Sequence, residues 1–95
     1  MSNLNKVFTA LSDDTRRQIL VLLKKGSMSA GEIADHFDIS KPSITFHLKI
    51  LKDAELVYSK KKGQFVIYTL QVTVFEEAMM LFMGMIKTGE KENEK

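Results

Sequence analysis

Ser29-Ala30-Gly31-Glu32-Ile33-Ala34-Asp35-His36-Phe37-Asp38-Ile39-Ser40-Lys41-Pro42-Ser43-Ile44-Thr45-Phe46-His47-Leu48-Lys49-Ile50-Leu51 contains two helix starts in quick succession. Ser29 and Glu32 have capping-box spacing: the hydroxyl accepts the backbone N–H of residue 32 while the carboxylate reaches back to that of residue 29. Ile33, Ala34 and Phe37 then share one face, which places a helix from Ser29 to about Phe37. Ser40-Lys41-Pro42 begins the next, with serine as cap and proline in the first turn. Its stripe is Ile44, Leu48 and Leu51, and at about 100° per residue Pro42, Phe46, Lys49 and Asp53 fall on the opposite side, so Phe46 points outward. About three residues separate the helices, and so tight a turn makes them cross steeply. That is the helix-turn-helix unit, whose second helix is the one presented to a DNA major groove.

Upstream, Leu4, Val7, Phe8 and Leu11 recur at helical spacing over residues 3–11. Ser12-Asp13-Asp14 breaks that helix and starts another, with Asp13 as N-cap, Asp14 in the first turn and Ile19, Leu20, Leu22 and Leu23 as its apolar stripe. Lys24-Lys25-Gly26 closes it with cations and a glycine. Downstream, the run from Leu56 to Leu70 holds two β-rich segments around a lysine and glycine turn, which is a hairpin. Val66, Tyr68 and Leu70 share one side of its second strand and Phe65, Ile67 and Thr69 the other, and the register leaves open which side is solvated. Val74, Phe75, Ala78, Met79, Leu81, Phe82, Met85 and Ile86 form a last helix that is apolar over a wide arc. A second copy of the chain is the simplest cover for that arc. The expected fold is therefore mainly α with a β-hairpin, in the order α-α-α-α-β-β-α. Residues 1–88 form one domain and 89–95 a flexible charged tail.

The chain is 95 residues long, 44% hydrophobic and 27% charged, the balance of one soluble domain. It contains no cysteine, so disulfides, thiolate metal sites and thiol nucleophiles are excluded. The amino terminus lacks the apolar core of a secretory signal, and the longest apolar run, Ala78 to Met83, is far too short to span a bilayer. A cytoplasmic protein with no membrane insertion is expected. The net charge of +2 hides a segregation. Residues 1–40 are balanced, 41–62 carry six lysines against two acids, and 63–95 carry three lysines against five glutamates. A basic block of this kind is the electrostatic footprint of a nucleic-acid binder. No glycine-rich phosphate loop or forced nucleophile–base arrangement is present, so an enzyme is not expected.

Ala10-Leu-Ser-Asp-Asp-Thr-Arg-Arg-Gln-Ile-Leu20, Ile39-Ser-Lys-Pro-Ser-Ile-Thr-Phe-His-Leu-Lys-Ile-Leu51, and Lys62-Gly63-Gln64-Phe65 with Tyr68 and Leu70 occur in this order. Together they resemble the opening signature, recognition helix and wing of the ArsR family of bacterial winged-helix repressors, over nearly the whole chain. Within that family the sequence is most similar to the metal-independent autorepressors. The resemblance implies a homodimer, joined through the amino- and carboxy-terminal helices, that binds a pseudo-palindromic double-stranded operator. Three departures qualify it. Asp14 stands where the family usually has proline, and Phe46 where histidine is frequent. The cysteines, or the aspartate and histidine ligands, of the family's metal sensors are missing, because the last helix offers only Glu76, Glu77 and methionines. No cofactor and no metal site are therefore expected. The releasing signal is left among a small molecule, a regulatory protein partner and the protein's own concentration.

Lys41, Ser43, Thr45, Phe46 and Lys49 are the candidate groove-facing set: hydroxyls and ammoniums suit phosphates and base edges, and an aromatic ring suits a thymine methyl. The bland alternative is a polar helix face with Phe46 packed on the wing. Lys60, Lys61, Lys62 and Gln64 are candidates for phosphate contact, set against a merely solvated turn. Leu4, Val7, Phe8, Phe75, Met79, Phe82, Met83 and Ile86 are the candidate dimer surface. Arg16 and Arg17 are set between reaching the DNA backbone and pairing with Asp13, Asp14 or Asp35 inside the fold, while His47 is expected to pack and His36 to supply charge at a helix end. Two further readings of the whole remain open: a protein-interaction module on a winged-helix scaffold, and a metal-responsive repressor with an unrecognised site.

Overall fold

The computed structural model describes residues 2–93. Helices α1 (Ser2–Leu11) and α2 (Asp14–Leu23) lead into strand β1 (Met28–Ser29), then α3 (Ala30–Ala34), α4 (Lys41–Asp53), strands β2 (Val57–Lys62) and β3 (Phe65–Leu70), and α5 (Val72–Asn93).

The capping chemistry is the one the sequence specifies. Asp13 caps α2 by accepting the backbone N–H of Arg16 at 3.1 Å. Ser29 and Glu32 form both halves of the capping box on α3, at 3.1 and 2.9 Å. Ser40 caps α4, with Pro42 in the first turn. Helix α3 is shorter than its apolar spacing suggests. After Ala34 the chain continues to Phe37 through i→i−3 bonds from His36 to Ile33 and from Phe37 to Ala34, a tightened ending that still brings Phe37 against the core.

Helix α4 ends in a Schellman motif: the N–H of Glu55 bonds Lys52 O at 2.9 Å and that of Leu56 bonds Leu51 O at 3.0 Å. Its left-handed position, φ 62°, is filled by Glu55 rather than by glycine. Leu51 and Leu56, the two apolar residues that flank such a turn, are both fully buried.

Strand β1 pairs antiparallel with β3, Met28 opposite Tyr68 and Ser29 opposite Ile67, so the hairpin is the larger part of a three-stranded sheet ordered β1-β3-β2. The order expected from sequence contains no such strand. Ile19, Ile33, Ile44, Leu48, Leu51, Leu56, Val7 and Val57 are the largest fully buried side chains. They join α1, α2, α3, α4 and β2 in one core. Val57 and Leu70 face each other across the hairpin, so the Val66, Tyr68, Leu70 side is the inner one.

Helix α5 begins two residues earlier than read from the sequence and is helical beyond residue 88, through Asn93. Among its described side chains only Ala78 is fully buried, while Met80, Leu81, Phe82, Met83, Met85 and Ile86 stay exposed. The helix gives the chain an elongated outline of 58 × 24 × 24 Å, with a radius of gyration of 15.5 Å.

Candidate nucleic-acid interface

Helix α4 buries Ile44, Leu48 and Leu51, and that anchoring turns the other side of the helix to solvent. Lys41, Ser43, Thr45, Phe46 and Lys49 are all exposed there. Phe46 is an exposed large apolar residue on that side, with 59% of its surface open. Its ring meets the ring of its neighbour His47, centroids 5.9 Å apart. Ser43 belongs to the cap, since its backbone N–H donates to Ser40 Oγ at 3.3 Å and its own hydroxyl oxygen accepts from Ser40 at 2.9 Å. Lys49 holds an ion pair with Asp53 at 3.2 Å, one turn on. Both partners are largely exposed, so the pair is weak and the ammonium is easily taken by a stronger anion.

The three lysines lie within strand β2, and the turn consists of Gly63 and Gln64 alone. Gly63 takes φ 64° while Gln64 stays at negative φ, the pattern of a II′ turn with glycine in its first central position. The pleat then divides the lysines. Lys62 opposes Phe65 and Lys60 opposes Ile67, so both ammoniums stand on the outer face with Tyr58, whereas Lys61 opposes Val66 on the inner face. Phe65 and Tyr58 are exposed, giving the outer face an aromatic and cationic character that strand alternation by itself does not decide.

Sequence reasoning missed the group beneath α4. Arg16 is 7% exposed, and among the described residues its guanidinium is paired with no carboxylate. Its Nε donates to Ala10 O at 2.8 Å, Nη2 to Thr9 O at 3.0 Å, and Nη1 lies 3.1 Å from His47 Nδ1. Asp13 Oδ2 is 3.7 Å from the same nitrogen. The Asp13 carboxyl is held below its ordinary pKa, foremost by the Arg16 backbone N–H it accepts and then by the charges of His47 and Arg16, with burial acting in the opposite sense. Arg17 does pair with Asp14, at 3.5 Å, and donates to Leu11 O at 2.7 Å.

Of the candidate dimer residues, Leu4, Phe8, Phe75, Met79, Phe82, Met83 and Ile86 keep exposed or partly exposed surface on α1 and α5. Val7 does not. At 1% exposure it is spent in the protomer's own core, because α1 packs on α2 and α4 through that residue and Ala10, leaving it nothing to offer a partner. A half-open apolar cavity of about 770 Å³ lies between α2, β3 and α5. Val72, Phe75, Glu76 and Met79 form its α5 wall, and none of the candidate DNA-contacting residues lines it. Among the described residues no group of three or more histidines and carboxylates converges as a metal would require. No described helix is long and apolar enough to cross a membrane.

A helix-turn-helix followed by a basic antiparallel hairpin is the construction of a winged helix-turn-helix protein. The profile of the family described as "Bacterial regulatory protein, arsR family" matches residues 13–59. The transcriptional repressor SdpR of Bacillus subtilis (strain 168) is 51% identical over 89 residues, 94% of this chain and 99% of that protein. The chain belongs to the arsR family of bacterial regulatory proteins. Among solved structures, an ArsR-like transcriptional regulator from Rhodococcus sp. RHA1 superposes with a TM-score of 0.86 at 28% identity, covering 96% of this chain and 86% of that one. A homodimeric winged helix-turn-helix DNA-binding domain from Mycobacterium bovis gives 0.71 at 25% identity, over 98% and 83% of the two chains.

Proposed function

We propose that the chain is a transcriptional repressor that binds a pseudo-palindromic operator as a homodimer, and that its own promoter is among its targets. In this reading each protomer lays α4 in a major groove, with Thr45 and Phe46 on base edges and Lys41, Ser43 and Lys49 nearer the backbone. Lys60, Lys61, Lys62 and Gln64 of the wing contact phosphates. The two copies join through α1 and α5, which leaves residues 89–95 as a charged extension outside the dimer. The protein works in the cytoplasm, and a small molecule, a regulatory protein or its own concentration releases it.

One observation carries this reading: the uncovered polar and aromatic side of α4 lies on the same domain as a lysine-bearing hairpin, the two surfaces that a winged helix needs for groove and backbone. The repressor activity of the half-identical relative supports it, as does the homodimeric DNA-binding domain of similar fold. The test is binding to random duplex DNA over a salt series. Steep weakening with salt is expected, with a slope of about −0.9 for each phosphate contacted. A flat response would leave a protein-interaction module on the same scaffold.

A further inference from the structure

We propose that Arg16 and His47 form a positioning bracket that locks α4 to the end of α1, and that the half-site separation accepted by the dimer is set through it. The proposal rests on the reading of α4 as the groove-bound helix. Carbonyls in the last turn of a helix lack intrahelical donors. Thr9 O accepts from the backbone N–H and hydroxyl of Ser12 at 3.2 and 2.6 Å, and Arg16, reaching across the α1–α2 corner, adds a further donor there and one to Ala10 O. The third arm of the same guanidinium reaches His47 Nδ1. A guanidinium can only donate, so the bracket requires the lone pair on Nδ1 and the ring proton on Nε2; a proton on Nδ1 would turn that nitrogen to Asp13 Oδ2, 3.7 Å away, instead. His47 is half-buried, its ring fixed from below by Arg16 and in contact above with the exposed ring of Phe46. An unbroken series of contacts therefore runs from the helix that carries Phe8, on the candidate dimer surface, to the side chain best placed to meet a base.

What this fixes is an angle. One base pair of extra spacing turns the second half-site by about 35° around the duplex, so a dimer discriminates between spacings only if each reading helix is rigidly held to the dimer helices. A planar fork that bonds two carbonyls and a ring nitrogen at once provides such a hold, and lysine cannot replace it.

The experiment uses the full chain and an operator selected by the wild type from a randomised duplex library, then the same operator with its half-sites one base pair closer and one farther apart. The wild type is expected to lose about tenfold or more in affinity at either altered spacing. His47→Leu is expected to lose about threefold or less, while keeping random-duplex affinity within about twofold. His47→Asn, whose amide oxygen can take the place of Nδ1, should restore the wild-type penalty. Equal spacing penalties in the wild type and His47→Leu overturn the bracket. Imidazole nitrogen shifts of the wild-type protein give a reading that does not depend on any variant folding: a bare Nδ1 is expected, and a proton on Nδ1 overturns the proposal. Failure of the wild type to select any sequence would instead overturn the reading of α4 as a DNA-recognition helix.

Discussion

The rings of Phe8 on α1 and Phe82 on α5 meet edge to face, centroids 5.6 Å apart and planes 78° from parallel. They close the two ends of the chain on each other while each keeps more than a third of its surface open, 37% and 39%. The pair is thus both an internal clasp and part of the exposed apolar face that the proposed dimer would cover.

Phe82→Ala should act on both roles. Removing the edge-to-face pair costs about 0.5–1.5 kcal/mol beyond the area term, and the smaller dimer surface should make the melting temperature depend more strongly on protein concentration. Thermal melts across a hundredfold concentration range check this, with light scattering of the wild type as reference. A wild type that scatters as a monomer near 10.8 kDa would refute the dimer.

Asp13 gives a pH dependence of definite sign. Its folded pKa lies below the ordinary value of 3.8. The stability it contributes is therefore complete above that value and is lost as pH falls through the depressed one. Urea unfolding from about pH 5 downwards should show stability falling, more steeply in the wild type than in Asp13→Asn, which keeps a neutral acceptor at the cap. Asp13→Ala should cost about 1 kcal/mol at neutral pH. Parallel profiles for the wild type and Asp13→Asn would show that the carboxylate charge is not felt.

Glu55 occupies a backbone region where its Cβ is crowded. Glu55→Gly removes that strain but loosens the unfolded chain, and the balance is a gain of about 0.5–1 kcal/mol. Chemical denaturation measures it, and a drop in stability would mean that the glutamate side chain compensates its own strain. Gly63→Ala at the wing turn is the mirror case. There is open space around that glycine, so its expected cost of about 1 kcal/mol comes from the backbone alone.

Groove and wing residues separate by what they can read. Alanine at Lys60 and Lys62, which share the outer face of the hairpin, should weaken operator and random duplex alike and flatten the salt slope by about 0.9 for each phosphate no longer neutralised. Lys61→Ala, on the other face, should change the slope less. Phe46→Ala should cost about 1–3 kcal/mol on the operator and little on random DNA. Equal weakening on both duplexes would make the ring structural.

Elements whose signals lie within a few residues of each other are readable from sequence: the Asp13, Ser29 and Ser40 caps, the stripe Ile44, Leu48, Leu51, and the outward direction of Phe46. What escapes depends on partners far along the chain. Strand β1 is two residues long and exists only because β3 lies beside it some forty residues later. Arg16 follows Asp13 and Asp14 closely in sequence, yet the crossing of α1, α2 and α4 brings its guanidinium carbonyls and a histidine instead. Val7 and Phe8 are adjacent apolar residues on one short helix. Only the placement of α1 on the core decides that the first is consumed inside and the second left at the surface.

Ser29 belongs to two elements at once: it is the last residue of β1, held opposite Ile67 of the hairpin, and the residue whose hydroxyl starts α3. A wing attached only at its base would swing independently of the helices and search for a phosphate after the groove was filled. Here the hairpin is stapled sideways to the first helix of the reading unit, so wing and helices behave as the two fixed points of a caliper. If α4 and the hairpin both meet DNA as proposed, such a head arrives with its span already set, and has little motion left to surrender when it closes on a site.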